Sequence, residues 1–229
     1  MTQQTSQSEY RSQIRQRFLA VDSSNVMDAL DMIGRPDQAL HADFSPFPIG
    51  SGKVAGFAYT IRGQMAPYEG TGDPEKMRAC NGISRDEVSV WSGDGQGICY
   101  FGELIALGMK ERGSVGAVVD GGIRDVRWLG MHQFPVFARY RTPTQSIGRW
   151  RVTAHQIPVY MRGATSDFVV VNPGDFLLGD EDGLVVVPID CLEEVLSKSE
   201  ELTQKEVRIR EELAKGLSLA DALAQFGHV

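Results

Sequence analysis

The fold of this chain is decided by one stretch, Gly113-Ser-Val-Gly-Ala-Val-Val-Asp-Gly-Gly-Ile-Arg-Asp-Val-Arg-Trp-Leu129. Residues 115–119 form a short apolar run rich in β-branched side chains, with glycine upstream and a Gly-Gly pair downstream. This pattern predicts a buried strand of about five residues rather than a helix. Asp120 and the Gly-Gly pair predict a turn, after which come Arg124 and Asp125. Charged groups just past the end of a buried strand are a candidate ligand site.

The two charged residues of this site offer complementary chemistry. Arg124 presents a planar, permanently charged fork that suits a carboxylate, and Asp125 presents a hard oxygen ligand that suits a cation. Adjacent opposite charges are also common on solvated loops, where such an ion pair contributes less than about 1 kcal/mol. The pair alone therefore leaves a functional and a structural interpretation open.

The segment upstream of the strand favours the functional interpretation. Residues 102–112 have the apolar spacing of a helix, and the first turn of a helix presents free backbone N–H groups that can bind an anion. Glu103 precedes Arg124 by 20 intervening residues, which is the length of one helix and one strand. One such unit returns the chain to the same edge of a sheet, so we expect the helix start and the strand end to share a cleft.

Composition and charge limit the classes of protein to which the chain can belong. Its 229 residues, 42% of them hydrophobic, predict a single α/β domain over residues 1–229, with a polar tail at 1–10 and helices at 190–229. The formal net charge of −7 argues against binding to nucleic acid or to a membrane surface. No apolar run approaches the roughly 20 residues that a membrane span needs.

The termini and cysteines favour a cytoplasmic protein. Residues 1–10 are rich in Gln, Ser and Thr and have no apolar core of the kind that a signal peptide needs. The three cysteines, Cys80, Cys99 and Cys191, have neither an even count nor the spacing of a metal site. They fit reduced thiols in a reducing compartment.

The remaining chain predicts a mixed order of helices and strands. Helices are predicted at 11–33, with an interruption and cap at 23–25, at 190–215, and at 217–226 after Ser218 as cap. Further strands are predicted at 53–62, 88–91, 134–139, 149–153, 157–161, 168–171 and 184–187. Residues 68–74 are rich in Gly and Pro, which predicts a mobile loop over a pocket.

Two segments resemble ligand motifs only in part. The Gly-rich run 92–97 lacks the Gly-Lys-Ser/Thr ending of a phosphate-binding loop, so we favour a tight turn over a nucleotide site. The acidic run 179–183 lacks the alternating ligands of a calcium-binding loop, so we favour a hairpin turn over a metal site.

Four motifs in order carry a resemblance to a known family. They are Gly102-Glu-Leu104, Gly113-x-x-Gly-x-Val-Val-Asp-Gly-x-x-Arg-Asp125, Phe134-Pro-Val-Phe-Ala-Arg139 and Asn172-Pro-Gly-Asp-x-x-x-Gly-Asp-x-Asp-Gly183. Together they resemble the RraA-like family over roughly residues 20–190. That family includes the class II 4-hydroxy-4-methyl-2-oxoglutarate / 4-carboxy-4-hydroxy-2-oxoadipate aldolases and also the regulators of ribonuclease E activity.

The resemblance implies a fold and an assembly. The fold would be a layered αββα sandwich of the swivelling-domain type, with peripheral N- and C-terminal helices. The assembly would be a homotrimer or homohexamer with active sites between subunits.

The resemblance also implies roles for residues of this chain. A divalent cation, Mg²⁺ or Mn²⁺, would be held by Asp125 and by waters, and Arg124 would bind the oxygens of the pyruvoyl part of a keto-acid substrate. Backbone amides around Gly102, Leu104 and Ile105 would receive the substrate carboxylate. Glu103 takes the place of an aspartate that holds a water for proton transfer.

The chain departs from the family pattern at two positions. Glu103 replaces the usual aspartate, which keeps the charge but adds one methylene. Trp128 stands where the ribonuclease regulators carry an acidic residue, which argues against that subgroup. The aldolases also draw an acidic residue from a neighbouring subunit, for which Glu200 and Glu201 are the candidates here.

These residues predict a metal-dependent lyase that releases pyruvate from a 4-hydroxy-2-oxo acid by retro-aldol cleavage. A chelated cation stabilises the pyruvate enolate as a Lewis acid, so no Schiff-base lysine is needed, and Lys110 is the one lysine within the 102–125 unit. Oxaloacetate decarboxylation would pass through the same enolate. Two alternatives stay open: a non-catalytic binding or regulatory protein, and another keto- or hydroxy-acid reaction at the same metal site.

Overall fold

The computed structural model describes residues 2–68, 70, 72–93 and 95–227. Its strands are β1 (Ser45–Phe47), β2 (Val54–Met65), β3 (Glu87–Ser92), β4 (Cys99–Phe101), β5 (Gly116–Ile123), β6 (Val136–Arg141), β7 (Trp150–His155), β8 (Val159–Arg162), β9 (Phe168–Val171), β10 (Phe176–Gly179) and β11 (Leu184–Val187). Its helices are α1 (Thr2–Phe18), α2 (Ser23–Met32), α3 (Pro74–Gly82), α4 (Glu103–Lys110), α5 (Val126–Met131), α6 (Leu192–Ala214) and α7 (Leu219–Phe226), with a 3₁₀ turn at Ile189–Cys191.

Most of these strands belong to one curled, mixed sheet. In the described part of the chain the order is β1-β6-β5-β3-β2-β10-β11, with β4 beside β5 and β7 beside β2. Strands β2, β3, β5 and β6 run parallel, whereas β10 and β11 are antiparallel to their neighbours. Strands β8 and β9 form a separate antiparallel pair.

Three apolar clusters fill the space between the layers. One packs α3, α4 and α5 against one side of the sheet around Trp91 and Phe101. A second packs α1, α2 and α6 against β10 and β11 around Phe18 and Phe176. The third lies between the strand layers around Phe137 and joins β5 and β6 to β8–β11. The order is helices, strands, strands, helices, so the predicted layered αββα architecture is confirmed.

The central strand β5 is longer than its apolar run indicates. All of Gly116–Ile123 is buried, and the strand continues through Asp120, Gly121 and Gly122, which had been predicted as a turn. The prediction of a turn was wrong because these glycines serve close packing. A Cβ atom on Gly121 would lie 2.0 Å from the Tyr100 hydroxyl oxygen, and one on Gly122 would lie 2.3 Å from the carbonyl oxygen of Ile98.

The termini also depart from the expected bounds. Helix α1 begins at Thr2, so residues 2–10, predicted as a polar tail, continue the first helix. Their polar composition gives no apolar periodicity by which such a helix could be recognised. The predicted long helix near 190–215 is α6, and Ser218 caps α7 as expected, since its side chain accepts a hydrogen bond from the Asp221 amide.

The acidic run at 179–183 is the hairpin turn between β10 and β11, as predicted. The Asp180 side chain is buried there. Its carboxylate accepts hydrogen bonds from the Ser23 amide at 2.7 Å, the Ser23 hydroxyl at 2.5 Å and the Asp182 amide at 3.1 Å. These bonds tie the hairpin to the start of α2.

Candidate active site

A cavity of about 440 Å³ opens where β4 and β5 end and α4 begins. All the residues predicted to act on substrate or metal line it: Gly102, Glu103, Leu104, Ile105, Arg124 and Asp125. Their convergence agrees with the expectation that one helix and one strand return the chain to the same edge. The catalytic roles of these residues stay predictions.

Parallel pairing of β4 with the end of β5 brings the two segments together. The Arg124 amide donates a hydrogen bond to the carbonyl oxygen of Phe101 at 3.1 Å, one residue before Gly102. Across this contact, the Glu103 amide lies 3.4 Å from Oδ2 of Asp125. The sheet therefore fixes the backbone on both sides of the site.

Asp125 occupies an unusual backbone conformation at the start of α5. Its φ of 58° and ψ of 30° lie in the left-handed region, which aspartate tolerates better than most residues. Its carbonyl oxygen accepts hydrogen bonds from the amides of Trp128 at 2.9 Å and Leu129 at 3.1 Å. This turn directs the chain away from the sheet and leaves the Asp125 carboxylate on the cavity wall.

The ion pair between Arg124 and Asp125 is loose and accessible. Arg124 Nε lies 3.4 Å from Asp125 Oδ2, and the two side chains are 44% and 39% exposed. A pair at this exposure contributes less than about 1 kcal/mol to folding. Both groups are thus accessible to a ligand in the cavity.

The N-terminus of α4 supplies free amides at the same place. The Ala106 amide donates to the Gly102 carbonyl at 3.0 Å, and this is the first intrahelical hydrogen bond of α4. The amides of Leu104 and Ile105 precede it and have no partner within the helix. They are placed to receive an anion, as the predicted substrate-binding role requires.

A histidine that the sequence analysis did not identify contacts Glu103. Nε2 of His132, which follows α5, lies 3.3 Å from Oε1 of Glu103. The Glu103 side chain is 21% exposed. A lone histidine just after a short helix gives no signal in the sequence, and only the packing of α4 against α5 brings it to the carboxylate.

Lys76 is a second residue that the sequence analysis missed. Lys110, the lysine of the 102–125 unit, does not line the cavity, and its Nζ donates a hydrogen bond to the carbonyl oxygen of His132. Lys76 on α3, however, lines the cavity and is 7% exposed. Burial lowers the pKa of its amine to about 8.

The oxygen atoms at the site fit a weakly held divalent cation. Within the described residues, Oδ1 of Asp125 has no hydrogen-bond donor, while Oδ2 faces Arg124 and the Glu103 amide. The same residues contain no group of three or more His, Cys, Asp or Glu side chains that could enclose a metal. Mg²⁺ commonly keeps several waters and binds through one or two carboxylates and the substrate. Asp125 can serve as such a ligand.

Comparison with family models matches residues 23–186 to the family described as RraA-like, Aldolase/RraA. The chain belongs to the RraA-like family. The match includes every residue of the predicted site and ends near the close of β11.

Two curated proteins are similar to parts of this chain. Protein DlpA of Legionella pneumophila is 29% identical over 209 residues, which cover 90% of this chain and 32% of DlpA. A 4-hydroxy-4-methyl-2-oxoglutarate aldolase of Thermus thermophilus is 38% identical over 80 residues, which cover 34% of this chain and 44% of that enzyme. The chain thus spans less than half the length of either relative.

Solved structures share the RraA-like fold. An uncharacterised protein from Pseudomonas syringae superposes with a TM-score of 0.78 at 25% identity, covering 92% of this chain and 96% of that one. The RNA-processing inhibitor RraA from Thermus superposes with a TM-score of 0.56 at 26% identity, covering 71% of this chain and 92% of that one. Within the described residues, no helix is long and apolar enough to cross a membrane.

Proposed function

We propose that this RraA-like protein is a divalent-metal-dependent lyase that cleaves a 4-hydroxy-2-oxo acid by a retro-aldol reaction and releases pyruvate. One observation carries the proposal: Glu103, Arg124 and Asp125 meet in one cavity, with Asp125 Oδ2 3.4 Å from both the Glu103 amide and Arg124 Nε. The aldolase among the relatives supports it. The site combines a cation, a metal ligand and a proton-carrying carboxylate, which this reaction needs.

Arg124 and the start of α4 hold the keto-acid end of the substrate. The guanidinium fork binds two oxygens in one plane, and the amides of Leu104 and Ile105 receive the carboxylate. A divalent cation bound at Asp125 would supply Lewis-acid stabilisation of the enolate. Because Arg124 is permanently charged, it stabilises the negative charge that develops on the enolate oxygen without any proton transfer.

Glu103 transfers the protons of the reaction. Cleavage breaks the C3–C4 bond: the 4-hydroxyl loses its proton as the new carbonyl forms, and the electron pair moves to the pyruvate enolate. The enolate carbon then takes a proton to give pyruvate. Glu103 can accept the first proton through a water and return one to the enolate, and His132 at 3.3 Å orients its carboxylate.

Oxaloacetate decarboxylation is a side reaction of the same site. Loss of carbon dioxide from oxaloacetate leaves the same enolate, which Arg124 stabilises in the same way. We therefore expect both activities to fall together when Arg124 is changed.

The decisive experiment is a substrate panel. Pyruvate formation, coupled to lactate dehydrogenase, would be measured from 4-hydroxy-2-oxo acids and from oxaloacetate, with and without Mg²⁺. Release of pyruvate from at least one 4-hydroxy-2-oxo acid, dependent on Mg²⁺, is the expected result. A fully folded protein that releases pyruvate from none of them would overturn the lyase and favour the non-catalytic binding role.

Removal of metal is expected to abolish the activity reversibly. Asp125 is the one protein ligand that we propose, so the cation should be held weakly and lost to a chelator. Protein treated with excess EDTA should be inactive, and added Mg²⁺ or Mn²⁺ should restore pyruvate release. Undiminished turnover in EDTA would contradict the proposal.

Lys76 makes a second control necessary, because an amine in the cavity could in principle form an imine with a keto acid. We expect borohydride reduction in the presence of pyruvate to leave Lys76 unmodified by mass spectrometry. A pyruvyl adduct on Lys76 would show that the reaction proceeds through an imine of this lysine instead of through an enolate stabilised by a metal ion.

We also propose that the protein is a homotrimer or homohexamer with active sites between subunits. Tyr160, Phe168 and Val170 on β8 and β9 are 57%, 61% and 43% exposed, a concentration of apolar surface that favours an interface. Of the two candidate acidic residues, Glu200 forms an ion pair with Arg17 of its own chain at 2.6 Å. Glu201 is exposed and is the better candidate to reach a neighbouring subunit.

Light scattering tests this assembly directly. We expect a mass near three or six times the 25.2 kDa of one chain at micromolar concentration. A mass of one chain under those conditions would rule out an active site that depends on a neighbouring subunit.

A further inference from the structure

The wall of the active-site cavity contains a buried ammonium group. Lys76 lies in the first turn of α3 and is 7% exposed. Its Nζ lies 5.6 Å from the centre of the Trp91 ring and 5.8 Å from that of Trp150. A lysine held among aromatic rings in a cavity wall is uncommon, since lysine is almost never fully buried without a partner.

Lys76 forms no ion pair within the described residues, and the charge of Asp73, beyond ion-pair distance, only partly opposes the lowering of its pKa by burial. Its Nζ makes one hydrogen bond, to the Ser146 hydroxyl at 3.3 Å, and no ion pair. The adjacent acidic residue, Glu75, forms an ion pair with Arg78 at 2.9 Å. Asp73 uses its two carboxylate oxygens to accept hydrogen bonds from the backbone amides of Lys76 at 3.1 Å and Val152 at 2.8 Å. Two of the three ammonium protons are therefore left to a ligand.

The cavity wall also contains a second positively charged side chain. Arg124 lines the same space, and the repulsion between the two charges contributes to the lowered pKa of Lys76. Arg124 has a carboxylate, that of Asp125, at 3.4 Å, whereas the one hydrogen-bond partner of Lys76 Nζ within the described residues is the Ser146 hydroxyl. An unpaired buried charge is costly unless an anion binds to it.

We propose that Lys76 is a specificity-determining residue, whose ammonium group and the Ser146 hydroxyl bind an anionic group on the leaving-group side of the substrate. The proposal rests on the proposed function only in that Arg124 is taken to hold the keto-acid end. The site then selects dianionic keto acids over monoanionic ones of the same length. The rings of Trp91 and Trp150 shield the contact from water and strengthen it.

Two keto acids that differ in one group test this assignment. 2-Oxoglutarate and 2-oxopentanoate have equal chain length, but one ends in a carboxylate and the other in a methyl group. Calorimetric titration in Mg²⁺ at pH 7 should show at least about tenfold tighter binding of 2-oxoglutarate by the wild-type protein, as expected for a charge-assisted contact.

Lys76→Met keeps the side-chain volume and removes the charge. We expect it to abolish the preference while the affinity for 2-oxopentanoate stays within about twofold of wild type, since no other contact changes. Arg78→Met is the matched control, because Arg78 is on the same helix with a side chain 68% exposed, and it should keep the full preference. Ser146→Ala should weaken the binding of 2-oxoglutarate by about threefold, as expected for the loss of one neutral hydrogen bond, and should leave the binding of 2-oxopentanoate unchanged.

The dependence of the ligand preference on pH distinguishes an electrostatic role of Lys76 from a packing role. The pKa of Lys76 is about 8, so the preference of the wild type should decline as pH rises above 8, while Lys76→Met shows no preference at any pH. The groups whose charges influence Lys76 are Cys80, Asp73, Cys99 and Arg124. Burial raises the pKa of Cys80 to about 11 and also raises that of Cys99, so both thiols titrate later.

The binding measurements can overturn the proposed role of Lys76 in two ways. Equal binding of the two ligands by wild type, or equal weakening of both by Lys76→Met in a protein with an unchanged melting temperature, would overturn the proposal. A Lys76→Met variant that fails to fold leaves the decision to Ser146→Ala and the pH series. If the substrate panel fails but the preference depends on Lys76, the lyase reaction is wrong and the anion subsite stands.

Discussion

Arg124→Lys is expected to lower kcat/KM for pyruvate release about a hundredfold, although it keeps the positive charge. Lysine is a point charge on a flexible stem and cannot make the paired, planar contact that a carboxylate or enolate accepts from guanidinium. Losing a charge-assisted contact of this kind in the transition state costs on the order of 3 kcal/mol, which corresponds to this factor.

A purely structural role for Arg124 would predict a much smaller effect of this substitution. The ion pair with Asp125 is half-exposed at 3.4 Å and contributes less than about 1 kcal/mol. The backbone contact of Arg124, its amide to the Phe101 carbonyl at 3.1 Å, does not depend on the side chain. A merely structural arginine would therefore tolerate lysine with little change in either stability or activity.

The measurement is kcat/KM on the substrate that the panel identifies, with the melting temperature as a control for folding. Arg127→Lys is the matched control, because Arg127 is three residues on, is exposed, and lies over the Trp128 ring at 5.8 Å. We expect it to remain within about twofold of wild type, as for a surface substitution. Activity of Arg124→Lys within about threefold of wild type would remove Arg124 from the mechanism.

The central unit of the fold could be predicted because its signals are local. The apolar run at 115–119 and the helix start at Gly102 each have a pattern that a strand or a helix requires. The 20 residues between Glu103 and Arg124 allow only a short return path to the same sheet edge. The convergence of these residues in one cavity follows from that geometry.

Helix α3 could not be predicted, and with it Lys76 was missed. The buried residues of α3 are Lys76 and Ala79, so the helix has no apolar stripe, and the Gly/Pro-rich run before it indicates a loop. Of the loop predicted at 68–74, Glu69 and Thr71 lie outside the described residues. Lysine on a polar segment predicts solvent exposure, whereas the packing of α3 against β7 and the tryptophan rings buries it.

The contact of His132 with Glu103 also could not be predicted from the sequence. This contact spans 29 residues and depends on how α5 turns away from the sheet at Asp125. No periodic pattern marks α5, which is only six residues long. Contacts made through short helices depend on long-range packing, which the sequence does not reveal by spacing.

Gly102→Ala is expected to lower activity about a hundredfold with almost no loss of stability. A Cβ atom on Gly102 would lie 2.8 Å from Asp125 Oδ2 and 3.2 Å from Arg124 Cγ, so both side chains must move. A displacement on the order of 1 Å at a catalytic group can cost about a hundredfold in rate. The φ of Gly102 is −161°, an extended value that alanine adopts freely, so the backbone itself is not strained.

Gly108→Ala provides the matched control on the same helix. A Cβ atom on Gly108 would meet nothing within 4 Å, and alanine in a helix interior is more stable than glycine by about 1 kcal/mol. We expect this variant to melt at or above the wild-type temperature with full activity. Steady-state kinetics and thermal melts of the two variants, made side by side, separate the effect of the site from that of the helix. If Gly102→Ala kept wild-type kcat/KM, Arg124 and Asp125 could move freely without loss of function, and the proposed site would lose its geometric basis.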